Sequence, residues 1–214
     1  MKIKQCIYII LITIALTQLS YGQESSGEGT SSMQSNAAGL KFGVGAGVGG
    51  FSYSNSNITY NAAFNIGAKL KLNIPHVAFT PVAFLNYYFL TGNFSGHPIN
   101  TDVPINSDIN QKILTLGAGA EFKFAPDAQV SPYLAVDIDY NHIGEVSFNQ
   151  QPLNFTNPGA VSRTGFDAGG GLMFIIPYAF TIDASLKYAV LNVLGKDSGE
   201  NNINSWNLNV SILF

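Results

Sequence analysis

Between Leu40 and Phe214, apolar residues recur at every second position, the period of a β-strand, in eight stretches separated by turn-forming residues. The apolar faces open at Leu40, Phe64, Ala83, Leu114, Leu134, Phe166, Ile182 and Trp206, and each continues over four to six alternate positions without a charged residue. The intervening positions carry Lys41, Lys69, Lys71, Glu121, Lys123, Asp137, Asp139, Arg163, Asp167, Asp183 and Lys187, with glycines from Gly43 to Gly171 among them. Such segregation predicts an all-β fold in which a sheet separates an apolar from a polar environment. Eight stretches predict an eight-stranded antiparallel up-and-down β-barrel.

The glycines decide which face is inside. A wall facing bulk water has no steric use for residues that weaken strands. The crowded interior of an eight-stranded barrel, by contrast, has room only for small residues between its few long ones. The polar set holds six basic and five acidic residues, and this near balance agrees, because a buried charge must be paired. The apolar face then looks out at acyl chains, and a transmembrane barrel is predicted. With the faces reversed, the same pattern describes a secreted lipid-binding barrel.

Short, proline-marked joins at 73–77, 125–130 and 176–180 alternate with longer polar joins at 52–60, 90–111, 144–162 and 191–204. Outer-membrane barrels keep short turns on the periplasmic rim and long loops outside. Strands of about 11 residues tilted by about 40° span roughly 27 Å, close to the expected apolar band. Aromatic residues fall toward both interfaces. Tyr53, Tyr60, Tyr87, Phe89, Tyr140, Tyr188 and Trp206 lie on the loop side, and Phe122, Phe124, Phe174, Tyr178, Phe180 and Phe214 on the turn side.

Composition narrows the reading further. A chain of 214 residues that is 46% hydrophobic and 11% charged is neither a disordered polymer nor a basic surface for nucleic acid. After residue 20 no apolar run approaches the roughly 20 residues a helical span needs. Lys2 and Lys4 precede the apolar run from Cys6 to Leu16, and Ser20 and Gly22 stand three residues and one residue before a cleavage point, which predicts a signal peptide over 1–22. Residues 23–38 have the composition of a flexible polar periplasmic tail, and 39–214 make up the barrel. Cys6 leaves with the signal, so neither a disulfide nor a thiol nucleophile is expected.

The signal peptide, the eight amphipathic strands and a final strand, SWNLNVSILF, that alternates apolar residues and ends in phenylalanine together resemble the small outer-membrane β-barrel family. This is the family of OmpA transmembrane-domain and OmpX-like proteins, the porin-family β-barrel domain. Ser131-Pro132-Tyr133 and Thr80-Pro81-Val82 look like strand openings of that family. The resemblance covers Leu40 to Phe214. It implies a monomeric barrel, outer-membrane lipid as its surroundings and the outer membrane of a Gram-negative bacterium as its location. It also implies that the outer-membrane assembly machinery reads Trp206, Leu208, Val210, Ile212 and Phe214. The sequence departs from full-length OmpA in having no peptidoglycan-binding domain after the barrel, so the resemblance does not extend to a cell-wall tether.

Candidate chemistry is sparse. His76, His97 and His142 fall in a turn, a loop and a strand end, and cannot share a metal in this topology. His142 with Asp139 and Ser147 raises a catalytic suspicion, but period two puts His142 and Asp139 on opposite faces. The run GVGAGVGG from Gly43 lies inside a strand pattern and lacks the lysine-serine ending of a phosphate loop. Asp102, Asp108, Asp197 and Glu200 read as solvated loop acids rather than a cation site. No catalytic residue, cofactor or metal site is therefore expected. The residues singled out are Lys69, Lys71, Glu121, Lys123, Asp137, Asp139, Asp167, Asp183 and Lys187, expected to pair as a charge network that plugs the lumen. The expected role is structural or surface-interacting, with the long loops meeting an extracellular ligand. The alternatives are a narrow porin for small solutes, a lipid-modifying outer-membrane enzyme and the secreted barrel.

Overall fold

The computed structural model describes residues 39–53, 58–74, 76–96, 105–149, 159–177 and 179–214. The expected signal and tail, and His97, Asp102 and Tyr178, lie outside them. Among the described residues ten strands run in chain order: β1 (Gly39–Tyr53), β2 (Ile58–Tyr60), β3 (Ala62–Asn73), β4 (Phe79–Gly96), β5 (Ile105–Lys123), β6 (Val130–Ile143), β7 (Ser147–Phe148), β8 (Val161–Ile175), β9 (Thr181–Leu194) and β10 (Ile203–Leu213). Eight of them pair antiparallel in the order β1, β3, β4, β5, β6, β8, β9, β10, and β10 returns to β1 to close the barrel. At the seam Gly43 stands opposite Leu213 and Tyr53 opposite Ile203. Below that ladder the backbones of Phe42 and Phe214 exchange two hydrogen bonds, 3.2 and 2.8 Å long. Closure removes the free edges an open sheet would present.

The wall faces outward with its apolar side. On β6, Val136 is 51% and Ile138 65% exposed, while Asp137 between them is 2% exposed. The reversed, secreted reading is thereby overturned, since a lipid-carrying barrel would bury the aliphatic set and hydrate the aspartate.

Three of the long loops expected from the sequence are shorter than predicted. Residues 90–96 and 105–111 belong to β4 and β5, β1 continues to Tyr53, and β9 continues to Leu194. The physical cause is a change of solvent along one strand. On β4 the outward positions run Phe79, Ala83, Leu85, Tyr87, Phe89 and then Thr91, Asn93, Ser95, whereas the inward ones end in Tyr88, Leu90 and Phe94. On β5, Asn106, Asp108, Asn110 and Lys112 face out before Leu114 begins the lipid-facing series, and Ile109 and Ile113 face in. Period two persists, but the apolar residues switch to the inside once the outside is water. β2 pairs with this extension of β4 and β7 with that of β5, covering both edges of the projecting hairpin.

Tyr53 and Tyr60 also depart from expectation. They do not join the membrane-interface belt but turn into the mouth of the barrel, where their rings lie 5.1 Å apart. Both sit above the level at which the wall leaves lipid, so their apolar bodies seek the interior. Tyr140, Tyr188 and Trp206 remain outward, each about half exposed.

Candidate functional site: the lumen and the outer mouth

The lumen is filled in three layers. Nearest the short turns, Lys71 Nζ binds Glu121 Oε2 at 2.6 Å and Asp183 Oδ2 at 2.8 Å, and Lys69 Nζ reaches the same Asp183 oxygen at 2.7 Å. The Tyr133 hydroxyl donates to the other Asp183 oxygen at 2.6 Å, and Lys71 Nζ lies 4.8 Å from the centre of the Tyr133 ring. This geometry needs a glycine: the Tyr133 phenol occupies the space that a Cβ on Gly171 would take.

In the middle layer Lys187 pairs with Asp137 and, at 3.3 Å, with Asp167. Its ammonium stands 4.8 Å from the centre of the Phe84 ring. Phe84 in turn lies where a side chain on Gly117 would be. Each glycine thus admits one aromatic, and each aromatic seats one lysine.

Two of the nine expected charges stand apart from these pairs. Lys123 donates to Asn73 Oδ1 at 2.8 Å, and Asp139 accepts from Asn141 Nδ2 at 2.7 Å. Lys41, which the pattern also placed inside, reaches Thr181 Oγ1 at 3.2 Å. Arg163 corrects the expected interior set. It lies at the mouth, where Nη2 binds Glu200 at 2.6 Å and Asp197 at 2.8 Å. Without it the interior carries five lysines (41, 69, 71, 123, 187) and five carboxylates (121, 137, 139, 167, 183), a formal balance.

The third layer is apolar and was missed by tracking charge alone. Phe51, Leu90, Phe94, Ile109, Ile113, Ile143, Leu191 and Ile203 pack with Tyr60 and Tyr88 into one buried core at the loop end. Gln111 anchors it: its Oε1 accepts from the hydroxyls of Tyr60 at 2.6 Å and Tyr53 at 3.1 Å, and its Nε2 donates to Gly144 O at 2.8 Å. The signal available in the sequence is the alternation of apolar residues in the opposite phase beyond Phe89 and Leu114.

A bulge ties the last loop down. Between Thr164–Leu194 and Phe166–Val190 the β8–β9 register shifts, and the consecutive residues Leu191 and Asn192 both turn inward. Asn192 then donates to Glu200 Oε1 and accepts from the backbone N–H of Ile203, both at 2.8 Å. Hydrogen bonds from the Arg163 guanidinium hold the Glu200 carboxyl well below its ordinary range, at about 2. They also push the Arg163 guanidinium further toward its charged form.

The histidines do not converge. His76 pairs with Asp127 across two turns at 3.0 Å, and His142 Nδ1 lies 3.2 Å from Ser162 Oγ on the outer wall. Ser162, not Ser147, is the serine brought to His142, while Asp139 is buried on the opposite face. Among the described residues no group of three or more His, Cys, Asp or Glu side chains is arranged to hold a metal ion.

The model of the outer membrane protein β-barrel domain family matches residues 29–214. The chain belongs to this family. Its place is the outer membrane of a Gram-negative bacterium. A search of curated proteins returned no match. Among solved structures, the chain is similar to the outer membrane protein OprG of Pseudomonas aeruginosa, with a TM-score of 0.58 and 10% identity over 84% of this chain and 98% of that one. It is also similar to neisserial surface protein A, with a TM-score of 0.55 and 17% identity over 81% and 95%. At these identities the likeness is one of fold.

Proposed function

We propose that this outer-membrane barrel is closed along its axis and acts as a structural or surface-interacting element through the wall and loops it raises above the membrane. The reading rests on the stacked interior: two ion-pair layers under an apolar core. Each layer is costly to open, because parting a buried pair leaves an unpaired charge in a low-dielectric site. Above the lipid, the hairpin of β4 and β5 presents Thr91, Asn93, Ser95, Asn106, Asp108 and Asn110 outward, a polar sheet surface suited to hydrogen-bonding an extracellular ligand. Planar-bilayer recording tests closure. Purified wild-type protein should give no stable open-state current, and large sustained currents would defeat the reading.

The second reading, a narrow pore, would have to start from a gap of about 30 Å³ beside Lys187 and Asp167, lined by Gly45, Gly67, Asn86 and Asn207, with room for about one water. The aromatic-ended strand with Trp206, Leu208, Val210, Ile212 and Phe214 is proposed as the element read during assembly. Phe214→Ser should lower the fraction of barrel that resists unfolding on unheated gels of outer membranes.

A further inference from the structure

The lipid-facing side of the wall changes character at the outer end of β6. Val136, Ile138 and Tyr140 face out, and the next outward residue is His142, also exposed. Its cross-strand partner on β8 is Ser162, and on β5 it stands opposite Leu114, above which Lys112 is the next outward residue. A lysine or imidazole is costly in hydrocarbon, so this row marks the level at which acyl chains give way to headgroups.

The row is built to donate hydrogen bonds. The Tyr140 hydroxyl donates to Ser162 Oγ at 2.7 Å, and Ser162 Oγ lies 3.2 Å from His142 Nδ1. In that relay Ser162 gives its proton to Nδ1, and the ring keeps an N–H on Nε2 that has no partner among the described residues. Lys112 is the one basic residue that the described strands turn outward, because the lysines at 41, 69, 71, 123 and 187 line the lumen and Arg163 is held at the mouth. It is exposed and forms no ion pair among the described residues, with Asp108 and Glu145 as the outward carboxylates of this region. Lys112 and His142 are diagonal neighbours across β5 and β6, about 7–8 Å apart at the backbone, so two long side chains can hold one group between them.

A cation and an N–H donor at the edge of the hydrocarbon fit the phosphate of a lipid headgroup. Height then chooses between lipids. From Lys112 to Asn106 the outward polar face of β5 climbs about 20 Å along the strand, roughly 15 Å along the membrane normal at a tilt of about 40°. A phospholipid headgroup layer is only about 5–8 Å deep. The face outruns it about twofold, and over that extra height Asn110, Asp108 and Asn106 stand opposite Thr91, Asn93 and Ser95. These two outward rows carry amide, hydroxyl and carboxylate groups and no apolar side chain, the complement of sugar hydroxyls.

We propose that this stretch of outer wall docks a phosphorylated glycolipid of the outer leaflet, its phosphate held between Lys112 and His142 and its sugars laid up the β4–β5 hairpin. The site rests on the reading of that hairpin as the interacting surface, and it makes the partner a lateral one, already in the membrane.

The full-length, isotope-labelled barrel in dodecylphosphocholine micelles is titrated with a deep-rough lipopolysaccharide, whose bisphosphorylated lipid A carries only inner-core sugars, while backbone amide shifts are followed by NMR. Shifts at 91–95, 106–112, 140–142 and 162 should saturate, and those around Trp206 on the opposite side of the barrel should stay small. Lys112→Ala should weaken apparent affinity about tenfold, His142→Ala several-fold, and Lys112→Arg should keep it. The same lipopolysaccharide stripped of phosphate should bind wild type as weakly as the intact lipid binds Lys112→Ala. Asn93→Ala combined with Asn110→Ala should weaken lipopolysaccharide several-fold and leave phosphatidylglycerol unchanged. Equal affinity for phosphatidylglycerol and lipopolysaccharide makes the row a general anionic-lipid contact and overturns the glycolipid site. Shifts that never saturate, or that ignore Lys112→Ala, overturn it as well. Closure of the barrel is read by current and not by lipid binding, so loss of this site and loss of the closed-barrel reading are separate results.

Discussion

Asp183 is the hinge of the inner charge layer because two lysines and a tyrosine converge on its carboxylate. Asp183→Ala leaves Lys69 and Lys71 sharing Glu121 alone, at 3.7 and 2.6 Å. A loss of about 3–5 kcal/mol is expected, read as a shift of the urea unfolding midpoint in micelles. Asp183→Asn keeps one acceptor oxygen, for Tyr133 or for the lysines, and sets amide N–H donors against the other partner, so its loss should approach that of alanine. Gly171→Val tests the steric claim from the other side. Its side chain must displace the Tyr133 phenol and also collides with the backbone carbonyl of Ala184 on β9, so the penalty should reach or exceed about 1–3 kcal/mol by the same measurement.

At the scale of elements, the loop between β9 and β10 is pinned by Glu200 through Arg163 and Asn192. The Glu200 carboxyl titrates at about 2 in the folded barrel, below the roughly 4.3 of a free glutamate. A depressed carboxylate stabilises above its unfolded value, and that contribution falls away between about pH 4 and pH 2. Amide protection factors over 195–202, which discount the intrinsic pH dependence of exchange, should fall across that window, and Glu200→Gln should show low protection at every pH. How much of this was legible varies by element. Strand number, phase and orientation follow from residues such as Val136, Asp137 and Ile138, because one wall divides lipid from a packed polar interior. The outer ends of β4 and β5 did not follow, since Leu90, Phe94 and Ile109 obey the same period with the solvents exchanged. Pairings such as Arg163 with Glu200 depend on a bulge at Asn192, and nothing in local alternation announces a bulge.

For the molecule as a whole, the two lumen readings separate in one recording. Lys187→Ala removes the cation that pairs with both Asp137 and Asp167 in the middle layer. A closed barrel stays silent or loses stability, whereas a narrow pore gains conductance and cation preference. The ladder from Gly43 opposite Leu213 to Tyr53 opposite Ile203 carries a further consequence. Because the first barrel strand hydrogen-bonds to the last, no partial chain can complete the cylinder, and loop closure over almost the entire domain must precede that contact. Until then β1 travels with one edge unsatisfied and its greasy side uncovered, a state prone to sticking to its own kind. Completion of this barrel is therefore a kinetic contest between ring closure and aggregation.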